Sequence, residues 1–182
     1  MKLTIPNGLS LCRIPLAVLS FAAIYGNQWR IAAVVMLLAV CSDMLDGDLA
    51  RRRRQVTILG GLLDHLCDAI FVTATLTALA LRSVVPFPLP LLVAGAFTQY
   101  ALDSNALSGE PLRASRLGRY NGLAYYVLAG LPSMQHALGL HPVPESWFWW
   151  LGWALATTTV ASMTDRLVAL GRIRRRGPSS PR

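Results

Sequence analysis

The stretch Asp43-Met44-Leu45-Asp46-Gly47-Asp48-Leu49-Ala50-Arg51, followed after eight residues by Gly60-Gly61-Leu62-Leu63-Asp64-His65-Leu66-Cys67-Asp68, places four carboxylates at the ends of two apolar segments. At about 100° per helical residue, Asp43, Asp46, Gly47 and Ala50 fall within an arc of roughly 100°. Gly60, Asp64 and Asp68 recur every four residues and form a narrow stripe. If the two helices are antiparallel neighbours, the four carboxylates converge on one cavity, and the small residues leave room for a backbone or ligand to approach. Asp48 points off this arc, toward solvent.

Outward from this stretch, six apolar segments recur between short polar or proline-bearing breaks: about 9–25, 30–46, 59–81, 88–107, 119–140 and 147–170. Each has the length of a bilayer-spanning helix, roughly 17 to 25 residues. The fold expected is all-α, a polytopic membrane protein of six transmembrane helices. One catalytic domain is expected over residues 1–171, with a basic, disordered cytoplasmic tail over 172–182. The first segment follows no basic leader and ends without a small-residue cleavage site, so it reads as a span rather than a signal peptide. No internal repeat is evident.

The chain is 182 residues long, 54% hydrophobic and only 14% charged, with 17 Lys and Arg against 9 Asp and Glu. That composition excludes a soluble two-domain enzyme and a polar disordered chain. An even number of spans puts both termini on one side, and fifteen of the seventeen cations fall there, leaving only Arg30 and Arg82 opposite. By the positive-inside rule that side is the cytoplasm. The expected location is therefore an integral, multi-pass one, in a bacterial inner membrane, in contact with membrane lipids. The basic excess is an orientation signal and does not call for a nucleic-acid partner. Trp29 and the cluster Trp147, Trp149, Trp150 and Trp153 suit an aromatic belt at the outer interface. Cys12, Cys41 and Cys67 lie in apolar segments without a paired spacing and read as buried thiols.

A carboxylate within a membrane span costs about 2 to 3 kcal/mol in insertion measurements, so four together need compensation. An oxygen-only cluster without paired His or Cys suits Mg²⁺, Mn²⁺ or Ca²⁺, and two divalent ions would balance four negative charges. Spacing alone also admits a cation or proton path, pairing with Arg51 to Arg54, or small-residue helix packing.

The fixed positions Asp43, Asp46, Gly47, Ala50, Arg51, Gly60, Asp64 and Asp68 resemble the signature of the CDP-alcohol phosphatidyltransferases, DxxDGxxARx8GxxxDxxxD, without a departure across 26 positions. Asn7-Gly8-Leu9-Ser10-Leu11-Cys12-Arg13 is similar to the NxLTxxR stretch of many members. The resemblance implies six transmembrane helices, a homodimer and an active site open to the cytoplasm. It implies transfer of a phosphatidyl group from a CDP-alcohol, generally CDP-diacylglycerol, to an acceptor hydroxyl with release of CMP. Asp43, Asp46, Asp64 and Asp68 would ligate two Mg²⁺ or Mn²⁺ ions, with Asp68 also the catalytic base. Asp46, Gly47, Ala50, Arg51 and Gly60 would bind the CDP moiety. Arg52, Arg53 and Arg54 lie outside the motif and suit orientation and lipid headgroups.

For the acceptor, Arg113, Arg116 and Arg119 are spaced by three, so adjacent pairs share a helix face and two guanidiniums could hold a phosphate. Ser115-x-x-Gly118-Arg119 is similar to the SxxGK stretch of members that use phosphorylated polyols, which makes glycerol 3-phosphate the leading small polar acceptor alcohol. Inositol phosphate, serine and choline are the alternatives, and a small cation transporter is the rival of another class. One departure stands out: members that make phosphatidylglycerophosphate commonly read LDPxxDK, where this chain has Leu63-Asp64-His65-Leu66-Cys67-Asp68-Ala69. His65 sits about 100° from Asp64 and reads as a packed, hydrogen-bonded residue. His136 and His141 read as loop residues at the outer side.

Overall fold

Proline and polar breaks divide the apolar chain into helices, and in the computed structural model every described element is one. The structure describes residues 5–52, 58–103, 116–140 and 142–176, with side chains for 8–45, 60–102, 117–140 and 142–168. In chain order the helices are α1 (Ile5–Leu11), α2 (Arg13–Tyr25), α3 (Trp29–Arg52), α4 (Ile58–Leu81), α5 (Pro88–Asp103), α6 (Arg116–Leu138) and α7 (Glu145–Arg176). The first two form one interrupted rod. Pro15 has no N–H to donate toward the Leu11 carbonyl, so the ladder breaks there, while Cys12 keeps right-handed helical angles of φ −61° and ψ −20°. Counted this way, six rods match the six expected segments.

Tight reversals join the rods at one end. Asn27, at φ 61°, ends α2, and the Gln28 amide donates to the Ala23 carbonyl at 2.7 Å. Ser83, at φ 59°, does the same after α4, where the Val84 amide donates to Leu79 at 2.9 Å. Both are helix stops that satisfy late carbonyls through a left-handed residue. The Arg82 guanidinium donates to Asn27 Oδ1 at 3.0 Å and lies 5.9 Å from the centre of the Trp29 ring, clipping the two reversals together.

α4 is the central rod, packing on α1, α2, α5 and α6. Its inner face buries Phe71, Val72, Leu76 and Leu79 against Ile24 of α2, Val35 of α3 and Leu128 of α6. Ser20 and Thr75 share a buried 2.9 Å hydrogen bond between α2 and α4. Outward faces remain strongly apolar: Val18, Val34, Leu91, Leu123 and Trp150 are all exposed. Among the described residues, the stretches Gly8–Tyr25 and Gly60–Leu81 are by themselves long and apolar enough to cross a bilayer.

Several expectations change. α7 continues through Arg176, so residues 172–176 are helical rather than part of a disordered tail; arginine is a good helix former, and cations suit a helix C-terminus. Residues 177–182 lie outside the described residues, as do 104–107 at the end of the expected fourth segment. Cys67 is buried, but Cys12 and Cys41 are exposed. Cys41 lies three and four residues after the outward-facing Leu38 and Leu37, so helical periodicity turns it outward too. His136 belongs to the last turn of α6 rather than a loop; it stacks on Trp29 and reaches Glu145 Oε1 at 3.2 Å. His141 lies outside the described residues.

α7 approaches the α4–α5 connection at a glycine. A methyl group on Gly152 would stand 2.3 Å from Pro86 Cδ, and the proline ring has little freedom to move away. Gly152→Ala is therefore expected to destabilise the fold by about 1 to 3 kcal/mol, read as a lower thermal midpoint in detergent; an unchanged midpoint would show that this contact carries no weight.

Candidate active site

The acids of the quoted stretch meet through a third element. Among the described residues, α3 and α4 are not principal packing partners; α1 and α2 pack against both. The expectation of α3 and α4 as direct neighbours is corrected accordingly. The α1–α2 rod carries the bridging groups, and its Arg13 side chain is fully buried.

Arg13 Nη2 lies 3.0 Å from Asp43 Oδ1, while Nη1 lies 2.8 Å from Asp64 Oδ1 and 2.5 Å from Asp68 Oδ1. Its Nε donates to Ser42 Oγ at 3.4 Å, and that hydroxyl donates on to the Ala39 carbonyl. Ser10 donates to Asp64 Oδ1 at 3.3 Å, and Tyr126 of α6 donates to Asp68 Oδ1 at 2.5 Å. Charge-assisted donors of this kind fix carboxylate rotamers. Breaking a fully buried ion pair is destabilising by about 3 to 5 kcal/mol, and less here, where the Asp43 side chain is 44% exposed.

One oxygen from each of Asp43, Asp64 and Asp68 lies within 4.8 Å of the others. Oxygens at that spacing are within reach of a single divalent ion, and an all-oxygen donor set suits a hard cation; Oδ1 of each of these acids is also a partner of Arg13. Asp46, Gly47, Ala50 and Arg51 occupy the last turns of α3, and their side chains lie outside the described residues. Gly60 lies one turn before Asp64 on α4.

Beside Asp68 a cavity of about 520 Å³ opens between α4, α5, α6 and α7, and Asp68, Tyr126, Arg119 and Arg166 are among the residues that line it. Of the three arginines expected at the acceptor, Arg119 is there; Arg113 lies outside the described residues, and only the backbone of Arg116 is described. Arg166 of α7 was legible only as an orientation cation. Its guanidinium stacks 4.8 Å over Tyr100, whose ring meets His65 edge-on at 5.4 Å. His65 is thus packed as expected and lies in the wall of the same cavity. Side-chain bonds across helices hold the wall: Gln99 donates to the Met163 carbonyl at 3.0 Å, Thr158 to Asn121 Oδ1 at 3.1 Å, and Tyr125 pairs with Thr159. A second, apolar cavity of about 570 Å³ between α4 and α5 shares His65, Phe97 and Tyr100 with the first.

Arg13, Ser10, Tyr126 and Arg166 are the site residues that the motif does not contain. Arg13 and Ser10 had one signal, the short N-terminal similarity; Tyr126 had none.

The chain is similar in sequence to known proteins. The profile of the family described as CDP-alcohol phosphatidyltransferase matches residues 3–161. The chain is 38% identical over 99 residues to a cardiolipin synthase (CMP-forming) of Streptomyces coelicolor, covering 50% of this chain and 45% of that one. It is 37% identical over 91 residues to the human cardiolipin synthase (CMP-forming), covering 50% and 30%. It is 36% identical over 83 residues to a CDP-diacylglycerol–glycerol-3-phosphate 3-phosphatidyltransferase of Yersinia pestis, covering 44% and 46%. The matched region spans less than half the length of each of these relatives.

The Tyr126 hydroxyl orients an acid that faces the cavity. Tyr126→Phe is expected to weaken divalent-ion binding or turnover about 10-fold while leaving the fold intact; Mn²⁺ titration together with circular dichroism checks this.

Proposed function

Starting from the chain's membership of the CDP-alcohol phosphatidyltransferase family, we propose that it transfers a phosphatidyl group from CDP-diacylglycerol to the hydroxyl of a polar acceptor, releasing CMP, in phospholipid synthesis. The observation that carries the proposal is the grouping of Asp43, Asp64 and Asp68 beside a cavity that Asp68 lines together with Arg119 and Arg166. In this reading all six rods cross the membrane as a single domain, with the carboxylates and both termini at the cytoplasmic side of a bacterial inner membrane. The apolar outward faces and the exposed Trp147, Trp149, Trp150 and Trp153 support it. The homodimer belongs to the same proposal.

The reaction needs three things at phosphorus: charge neutralisation, a base and in-line placement. Asp43, Asp46, Asp64 and Asp68 would hold two Mg²⁺ or Mn²⁺ ions, which when bound neutralise the diphosphate. Gly47, Ala50 and Gly60 leave room for the cytidine and ribose along α3 and α4, and Arg51 pairs with the diphosphate. Asp68, on the cavity wall, takes the proton as the acceptor oxygen bonds to the diacylglycerol-bearing phosphorus and the bond from that phosphorus to CMP breaks. Tyr126 holds Asp68 in place for that step.

Arg119 and Arg166 would hold an anionic group of the acceptor in the cavity that Asp68 also lines, which favours glycerol 3-phosphate and leaves serine or choline without a use for the two cations. A lipid acceptor is the second reading, favoured by the apolar cavity that shares His65, Phe97 and Tyr100 with the one beside Asp68. Two relatives are named for making cardiolipin, a product that contains four acyl chains. A cation transporter would have no use for a cavity of this composition.

Asp68→Asn, or removal of divalent ions by EDTA, is expected to lower CMP release from CDP-diacylglycerol by at least about 100-fold, the loss typical of a general base. Full activity in either case would remove Asp68 or the metals from the mechanism. Arg166→Ala is expected to raise KM for glycerol 3-phosphate about 10-fold or more with a smaller change in kcat, since it binds the acceptor's anion. Lipid mass spectrometry with glycerol 3-phosphate, phosphatidylglycerol, inositol phosphate, serine and choline separates the acceptors, and product from serine or choline alone would overturn the anion argument.

A further inference from the structure

Arg13 contacts the carboxylate cluster in a way that its place in the chain does not announce. Both of its terminal nitrogens are committed, and together they touch Oδ1 of Asp43, Asp64 and Asp68. A divalent ion bound by these three residues would draw on the same small group of oxygens, which lie within 4.8 Å of one another. The guanidinium is fully buried and further tethered through Nε to Ser42, so it is built into the site rather than resting against it.

We propose that Arg13 is a resident cation of the carboxylate cluster and competes with divalent ions for it, holding the acids of α3 and α4 together when no ion is bound and setting how tightly the ion binds. Three physical consequences follow. Three carboxylates on two helices repel one another unless a positive charge lies among them, and Arg13 supplies that charge from the α1–α2 rod. A divalent ion entering the cluster meets a like charge at short range, which weakens its binding. Each ion contact also requires the guanidinium to give up or share an oxygen. Three acids and one arginine carry a net charge of −2, so one divalent ion brings the cluster to neutrality.

The inference rests on the reading of Asp43, Asp64 and Asp68 as metal ligands, and the test separates the two. Purified protein in detergent is stripped with EDTA, dialysed and titrated with Mn²⁺, following free Mn²⁺ by electron paramagnetic resonance; CMP release is assayed on the same preparation. Arg13→Gln is expected to bind Mn²⁺ about 10-fold more tightly than the unsubstituted protein, the size of change produced by altering one direct neighbour of a metal site. The stripped variant is expected to unfold at lower temperature, and saturating Mn²⁺ to raise its midpoint by more than it raises that of the unsubstituted protein. Equal or weaker Mn²⁺ binding by Arg13→Gln overturns the competition while leaving the metal site standing. Absence of Mn²⁺ binding by the unsubstituted protein overturns the metal reading and the inference with it. If Arg13→Gln does not fold, Arg13→Lys carries the same test: it keeps the charge but loses the fork that spans two helices, and its affinity is expected to rise about 3-fold. No rise overturns the proposal.

Discussion

Three carboxylates within 4.8 Å of one another, at the ends of two apolar helices, repel strongly in a medium of low dielectric constant, and the buried guanidinium of Arg13 offsets that repulsion. Much of the architecture serves this arrangement. The α1–α2 rod lies against both acid-bearing helices because its arginine must reach both, and Pro15 interrupts the helix next to the position from which Arg13 does so. Tyr126 brings α6 to the same cluster, and Ser10 secures Asp64 from the other flank.

Packing density and polarity are divided along the rods. Toward the turns after α2 and α4, large apolar side chains such as Ile24, Leu79, Val85, Leu89 and Phe148 fill the interior. Toward the acids, the interior opens into a cavity whose walls are tied by hydrogen bonds between helices, from Gln99 to Met163 and from Thr158 to Asn121. The closed end supplies rigidity and the open end supplies chemistry. That division keeps Asp68 fixed while the space next to it stays large enough for a substrate.

The motif made Asp43, Asp64 and Asp68 legible because helical periodicity is local: residues four apart share a face whatever surrounds them. The six rods were legible for the same reason, since apolar length needs no knowledge of neighbours. Cys12 and Cys41 were misjudged because an apolar stretch does not reveal which of its faces turns inward. The basic run 172–176 continues α7 because a run of arginines, though highly charged, extends a helix well. Beyond the short N-terminal similarity for Arg13, the sequence marks Arg13 and Arg166 only as orientation cations, since the positive-inside rule assigns a side of the membrane and is blind to depth in the bundle.

By itself, the amino-acid sequence determined the helical class, the number of rods, the carboxylate stripes and the family to which they belong, because each depends on composition or on spacing within one helix. Only the tertiary structure decided that α1 and α2 bridge the acid-bearing helices, that Arg13 lies among the three carboxylates, and that Arg166 lines the same cavity as Asp68. The contacts of Arg13 with Asp64 and Asp68 join residues more than 50 positions apart. They depend on which rods pack together and at what rotation, a choice made by the whole set of side-chain surfaces at once.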